Sequence, residues 1–170
     1  QEVLRDAVWP NNFGLCDRSG TDMVAHILRF ITDESPTKVV LSIDGVGAFD
    51  HISRARMFEA LLLDARLHSL VPFVKLWYAS PSHYLWRDDT GAPYDIFQGD
   101  GGEQGDALMP ALFCLALKSA LSEIEEGLPE GAELFAYLDD IYVICKPERA
   151  RDIFEMTRIA LREDVLSLIH

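Results

Sequence analysis

The sequence predicts an α+β fold in which an antiparallel sheet is covered on one face by helices, and three observations carry that expectation. Val39-Val40-Leu41-Ser42-Ile43 is a short β-branched and apolar run after Pro36, closed by Asp44, the pattern of a buried strand. Leu134 to Leu138 and Ile141 to Cys145 are two more short apolar runs on either side of Asp139-Asp140, which makes a hairpin. The apolar run from Ala107 to Leu121 is too long for a strand and has Pro110 near its start, where proline is tolerated, so it reads as a buried helix. The resulting order of strand, helix, hairpin, helix, hairpin, helix suits two packed layers.

Taken in order, Val3 to Phe13 has no clear period and runs into the loop-like Pro10-Asn11-Asn12, and Gly14 to Gly20 is turn-rich. Met23 to Ile31 has helical spacing of apolar residues, with Asp22 as its N-cap. Ser53 caps the next helix, Arg54 to Leu67, with Met57, Phe58, Leu61, Leu62 and Ala65 as its apolar face and Arg56, Glu59 and Asp64 outward. Residues 72 to 79 form a short helix. His83 to Arg87 and Tyr94 to Gln98 flank Asp88-Asp89-Thr90-Gly91, a hairpin signal, and a glycine-rich loop follows from Gly99 to Gly105. Glu148 to Leu168 closes the chain with apolar residues at helical spacing.

A length of 170 residues with 49% hydrophobic content supports one domain-sized core. No stretch approaches the roughly 20 apolar residues of a membrane span, so the expected setting is intracellular, nuclear or cytoplasmic, without a membrane partner. Cys16, Cys114 and Cys145 are scattered and odd in number, which indicates neither a disulfide framework nor a zinc site. The net charge of −13 argues against a chain that grips nucleic acid by itself, and suits a metal site.

The residues with chemistry are carboxylates. Asp44 ends an apolar strand, and Asp139-Asp140 sit at a tight turn between apolar strands. Carboxylates against a hydrophobic sheet are costly unless paired or bound to metal, and three on one edge repel unless cations lie between them. Magnesium fits such a group, because it takes a few carboxylates together with substrate phosphates. Read singly, Asp-Asp is also ordinary turn chemistry and Asp44 an ordinary strand end.

What lies between them changes the balance. SIDGVGAFDHI, EQGDALMPALF and FAYLDDIYVI stand in the order and approximate spacing of reverse transcriptase motifs A, B and C. The chain resembles the enzymes of non-LTR retrotransposons and group II introns, from about Asn11 to Cys145, and NNFGLCDRSGTDMVAHIL resembles their fingers segment. The resemblance implies a polymerase palm over residues 38–170, part of the fingers over 1–37, and no thumb. It implies RNA-directed DNA synthesis, with Asp44, Asp139 and Asp140 holding two Mg2+ ions (Mn2+ as a substitute) and the Gly45 carbonyl as a further ligand. Ala48 and Phe49 would border the nucleotide, the Phe49 ring as a steric gate against a ribose 2′-hydroxyl. Gln104 and Gly105 would contact the nucleotide and template, and Tyr137 would lie beside the primer end. Implied partners are an RNA template, a DNA primer, deoxynucleoside triphosphates, and fingers and thumb segments of a longer polyprotein.

Two departures stand out. Glu103 occupies a place where the family often has a basic residue, and Ala107 one where it often has proline. They point to a fragment or decayed copy that keeps its metal ligands without extending a primer processively. An interaction module of the same fold is a further reading, and a palm-type nucleotidyl cyclase another, although EQGD and Phe49 count against the cyclase.

Overall fold

The computed structural model of the chain describes residues 2–8, 10, 12–15, 18–103 and 105–164, with side chains described as far as Arg162. The elements are α1 (Glu2–Val8), α2 (Gly20–Glu34), β1 (Val39–Ile43), α3 (Ala48–His51), α4 (Arg54–Leu63), a 3-10 helix (Ala65–Leu70), α5 (Val71–Tyr78), β2 (Ser82–Arg87), β3 (Pro93–Gln98), α6 (Met109–Gly127), β4 (Glu133–Tyr137), β5 (Asp140–Cys145), a 3-10 turn (Pro147–Arg149) and α7 (Ala150–Asp164).

The main sheet is antiparallel with strand order β1-β5-β4, and β2-β3 form a separate hairpin. Ile43 pairs with Ile141, which pairs with Ala136, and Leu41 with Val143, which pairs with Leu134. These residues share one face by the two-residue period of strands, and most are buried against helices. Phe113 and Leu117 of α6 and Leu161 of α7 meet Ile43 and Ile141 there. The opposite face carries Ser42, Tyr142 and Phe135, and is more open.

Several expectations need correction. The 39–43 run reads as a buried strand, yet β1 lies at the sheet edge and alternates, with Val40 39% exposed. Continuous apolar character does not distinguish an edge from a centre. Residues 2–8 form a helix where no period was legible, and Ala7 and Val8 join the core. The α2 helix begins at Gly20, with Ser19 rather than Asp22 in the cap position and left-handed. The α4 helix stops at Leu63, because Asp64 accepts from the Arg66 N–H and starts a tighter turn, and Leu62 is exposed rather than on the core face. Ser53 does cap α4, accepting from Arg56 N–H. The last residues of the expected C-terminal helix, 165–168, lie outside the described residues.

The helices of residues 54–161 cover one sheet face, as expected, but the N-terminal segment also reaches the other. Phe13 meets Phe135 with ring centroids 6.4 Å apart, and Gly20 lies close to Tyr137. No helix among the described residues is long and apolar enough to cross a membrane.

Candidate active site

The β1 strand ends at Ile43, whose partner is Ile141, so Asp44 follows at the level of Asp140. On the other side Tyr137 pairs with Asp140, leaving Leu138 and Asp139 as a two-residue hairpin loop. The register therefore brings the three aspartates to one end of the sheet, with Asp140 on the more open face beside Tyr137. Asp44 is exposed, and Asp139 and Asp140 are half-buried. Burial raises the Asp140 carboxyl above its ordinary range, and the charges of Asp139 and Asp44 raise it further. The Tyr142 phenol is also raised, first by burial and then by Asp140 and Asp44, which places it against the same group.

Leu138 has φ 55, one of two non-glycine residues in the left-handed region among the described residues. That conformation costs a residue with a Cβ roughly 1–2 kcal/mol. Its backbone is compensated from far away. The Leu138 N–H donates to Asn12 Oδ1 at 3.1 Å, and Asn12 Nδ2 donates to the Leu138 carbonyl at 3.1 Å. Asn12 itself is 1% exposed. A Cβ on Gly14 would stand 2.6 Å from Leu138 Cδ2, so only glycine lets the N-terminal segment lie this close.

The turn after Asp44 is closed by Ala48 N–H donating to the Gly45 carbonyl at 3.1 Å. Ala48 is buried, and the Phe49 ring stacks on Phe113 with centroids 4.4 Å apart. The glycine-rich loop is tied to this turn. Gly102 N–H donates to the Phe49 carbonyl at 3.0 Å and Gly101 N–H to that of Ile52 at 2.8 Å. A Cβ on Gly101 would lie 2.1 Å from the Asp50 carbonyl oxygen, and one on Gly102 1.9 Å from Met109 Sδ. These two glycines serve internal packing rather than an approach by ligand. Gly99 and Gly105 face open space. Gln104 lies outside the described residues.

Arg54 is 4% exposed and fastens the loop from behind. Its Nε donates to the Gly101 carbonyl at 2.8 Å, Nη1 to the Ser80 carbonyl at 2.8 Å, and Nη2 to Ser82 Oγ at 2.9 Å. At the loop's other end the Tyr84 hydroxyl donates to Glu103 and the Tyr78 hydroxyl to Asp106. Burial and Asp106 push the Tyr78 phenol well up.

The reverse transcriptase (RNA-dependent DNA polymerase) family matches residues 3–168. The chain belongs to that family. A curated relative of this reverse transcriptase domain is the retrotransposable element SLACS 132 kDa protein of Trypanosoma brucei gambiense, 28% identical over 119 residues, and consistent with a retroelement type. That match takes in 70% of this chain and 10% of the relative, so the domain spans a small part of the relative's length. Among solved structures, a telomerase from Candida tropicalis in complex with a TWJ fragment of telomeric RNA superposes with TM-score 0.67 at 11% identity, covering 97% of this chain and 31% of that one. The apo telomerase of the same species, truncated from its C-terminal domain, gives TM-score 0.55 at 13% identity, over 96% of this chain and 37% of that one. Likeness at that identity shows the fold, a palm-type polymerase fold.

For this reverse transcriptase domain a divalent cation is a family property, and the residues fit one. Three carboxylates converge, burial and then the charges of Asp139 and Asp44 raise the Asp140 carboxyl, and no Lys or Arg among the described residues forms an ion pair with them. Among the described residues no ready-made cage of three or more such ligands is closed. Sequence reasoning missed Asn12, Arg54 and Tyr142. Burial of Arg54 and the reach of Asn12 leave no local pattern, whereas Tyr142, two residues after Asp140, follows from strand alternation.

Proposed function

We propose that this domain performs RNA-directed addition of deoxynucleotides to a primer 3′-hydroxyl, with Asp44, Asp139 and Asp140 as catalytic metal ligands. The observation that carries the reading is the register that brings these carboxylates to one end of the sheet, Ile43 opposite Ile141 and Tyr137 opposite Asp140. Two Mg2+ ions, or Mn2+ in their place, would supply activation of the hydroxyl and neutralisation of charge on the reacting phosphate and leaving pyrophosphate.

The chain's own residues have positioning tasks. The Gly45 carbonyl already accepts from Ala48 N–H and has a second lone pair for a ligand. Phe49, fixed on Phe113, is the gate against a 2′-hydroxyl, and the buried Ala48 borders the nucleotide with it. Gln104 and Gly105 border the nucleotide and template, and Tyr137 the primer end. Residues 1–37 act as part of the fingers and 38–170 as the palm. The length of the SLACS relative supports further fingers and thumb segments in a longer polypeptide. RNA template, DNA primer and deoxynucleoside triphosphates are the partners.

Calorimetric titration with Mn2+, with and without a deoxynucleoside triphosphate, tests the site. Binding that is enhanced by nucleotide and lost in Asp44→Ala and Asp139→Ala supports the reading, and variants that match the parent sink it. A second reading has its own support. Glu103 holds negative charge, fixed by Tyr84, where nucleic acid should pass, and suits a domain that keeps the metal site without processive synthesis. Long products in a primer-extension assay would refute that version.

A further inference from the structure

The aspartate hairpin has an unusual foundation. A two-residue loop with positive φ at its first residue ordinarily places glycine there. Here that residue is Leu138, and its N–H and carbonyl are both taken by one carboxamide 126 residues away in sequence. The same Asn12 Oδ1 accepts from Gly14 N–H at 2.9 Å, and Phe13 N–H donates to the Ala136 carbonyl at 2.9 Å. Asn12 also makes a parallel bridge to Ala136, the residue that precedes Tyr137 in β4. The segment thus lies along the strand leading into the loop, with its polar end on the residue before Asp139.

We propose that Asn12 is a positioning residue for the metal-binding carboxylates, acting through the conformation of Leu138. The inference rests on the proposed polymerase reading for its consequence, while the clamp itself is independent of it. With the carboxamide in place, Leu138 stays left-handed, and the directions in which Asp139 and Asp140 leave the turn are set. Without it, Leu138 relaxes to negative φ, and Asp139 moves with it. Asn12 suits this task because a primary amide presents one acceptor and one donor together, matching a backbone N–H and carbonyl. Gly14 suits it because a larger residue would strike Leu138.

The cycle Asn12→Ala, Leu138→Gly and the double variant separates positioning from general anchoring, since glycine takes positive φ without strain. Mn2+ affinity of the 170-residue chain should fall about tenfold in Asn12→Ala, the factor that corresponds to loss of a compensation of Leu138's strain. In the Leu138→Gly background the same substitution should cost less than about threefold, because no strain remains to be compensated. Equal losses in both backgrounds overturn the proposal. Amide hydrogen exchange keeps it testable if the parent binds no Mn2+, which would defeat the metal reading. Selective acceleration at Leu138, with Val143 in the adjacent strand unchanged, supports the clamp, and unchanged exchange at Leu138 overturns it. If Asn12→Ala does not fold, Asn12→Ser, whose single short hydroxyl cannot span both the Leu138 N–H and its carbonyl as the carboxamide does, takes its place in the same comparisons.

Discussion

A buried guanidinium usually has a carboxylate partner, and Arg54, which has none among the described residues, shows what replaces one. Two carbonyls and a hydroxyl take its donors, and its guanidinium carbon stands 5.2 Å from the Tyr78 ring centroid. Arg54→Met should destabilise the fold by about 2–4 kcal/mol in urea unfolding, since those acceptors lose their donors, and Arg54→Lys should rescue little of it because it lacks the fork. A loss under about 0.5 kcal/mol would show that water replaces the guanidinium. Asp64 gives a pH-dependent counterpart. Hydrogen bonds from the Arg66 side chain and then its backbone N–H lower its carboxyl from 3.8 to about 2. A depressed folded-state value means stability that is present above pH 4 or so, and is lost as pH falls from about 4 towards about 2. The melting-temperature gap between parent and Asp64→Asn should therefore be widest near neutrality and close in acid. A gap that stays constant with pH would exclude the linkage.

At the scale of elements, the glycine loop offers a graded series. Gly101→Ala combines φ +74 with a contact on the Asp50 carbonyl, and should destabilise by about 1–3 kcal/mol. Gly99→Ala meets nothing within 4 Å, and should stay within about 0.5 kcal/mol of the parent. Denaturant midpoints of the two variants measure the contrast, and equal effects would contradict the packing role. Much of the element plan was legible in sequence. The runs at 39–43, 134–138 and 141–145 announced the sheet because short apolar runs were bounded by aspartates, and the long apolar run after Gly105 announced α6. Two things were not legible. Edge position is a property of the assembled sheet, so the exposure of Val40 had no local signal. Packing also decided the use of Gly101 and Gly102, which read only as part of a glycine-rich loop and are room for Asp50 and Met109. The carboxylates themselves were the most legible part of the site, because their order and spacing sit in contiguous motifs, whereas their meeting depends on the Ile43–Ile141 register.

For the whole molecule, the charge of −13 makes divalent cations more than a catalytic question. Anything bound by the folded state alone stabilises it by RT ln(1 + [L]/Kd), about 2.7 kcal/mol at a hundred times Kd. Millimolar Mg2+ should raise the melting temperature of the parent and leave that of Asp139→Ala nearly unchanged. A rise of equal size in both would assign the effect to general screening of acidic charge. The clamp on Leu138 also sets an order of events in time. The β4-β5 hairpin closes between near neighbours in microseconds, but its seat joins positions 126 apart. Ribosomal synthesis at roughly 5–20 residues per second leaves Asn12 waiting on the order of ten seconds for its partner to emerge. During that interval the segment that will hold the aspartates is an unfinished end with an unused amide, and the last turn of the sheet to be translated is the one that completes it.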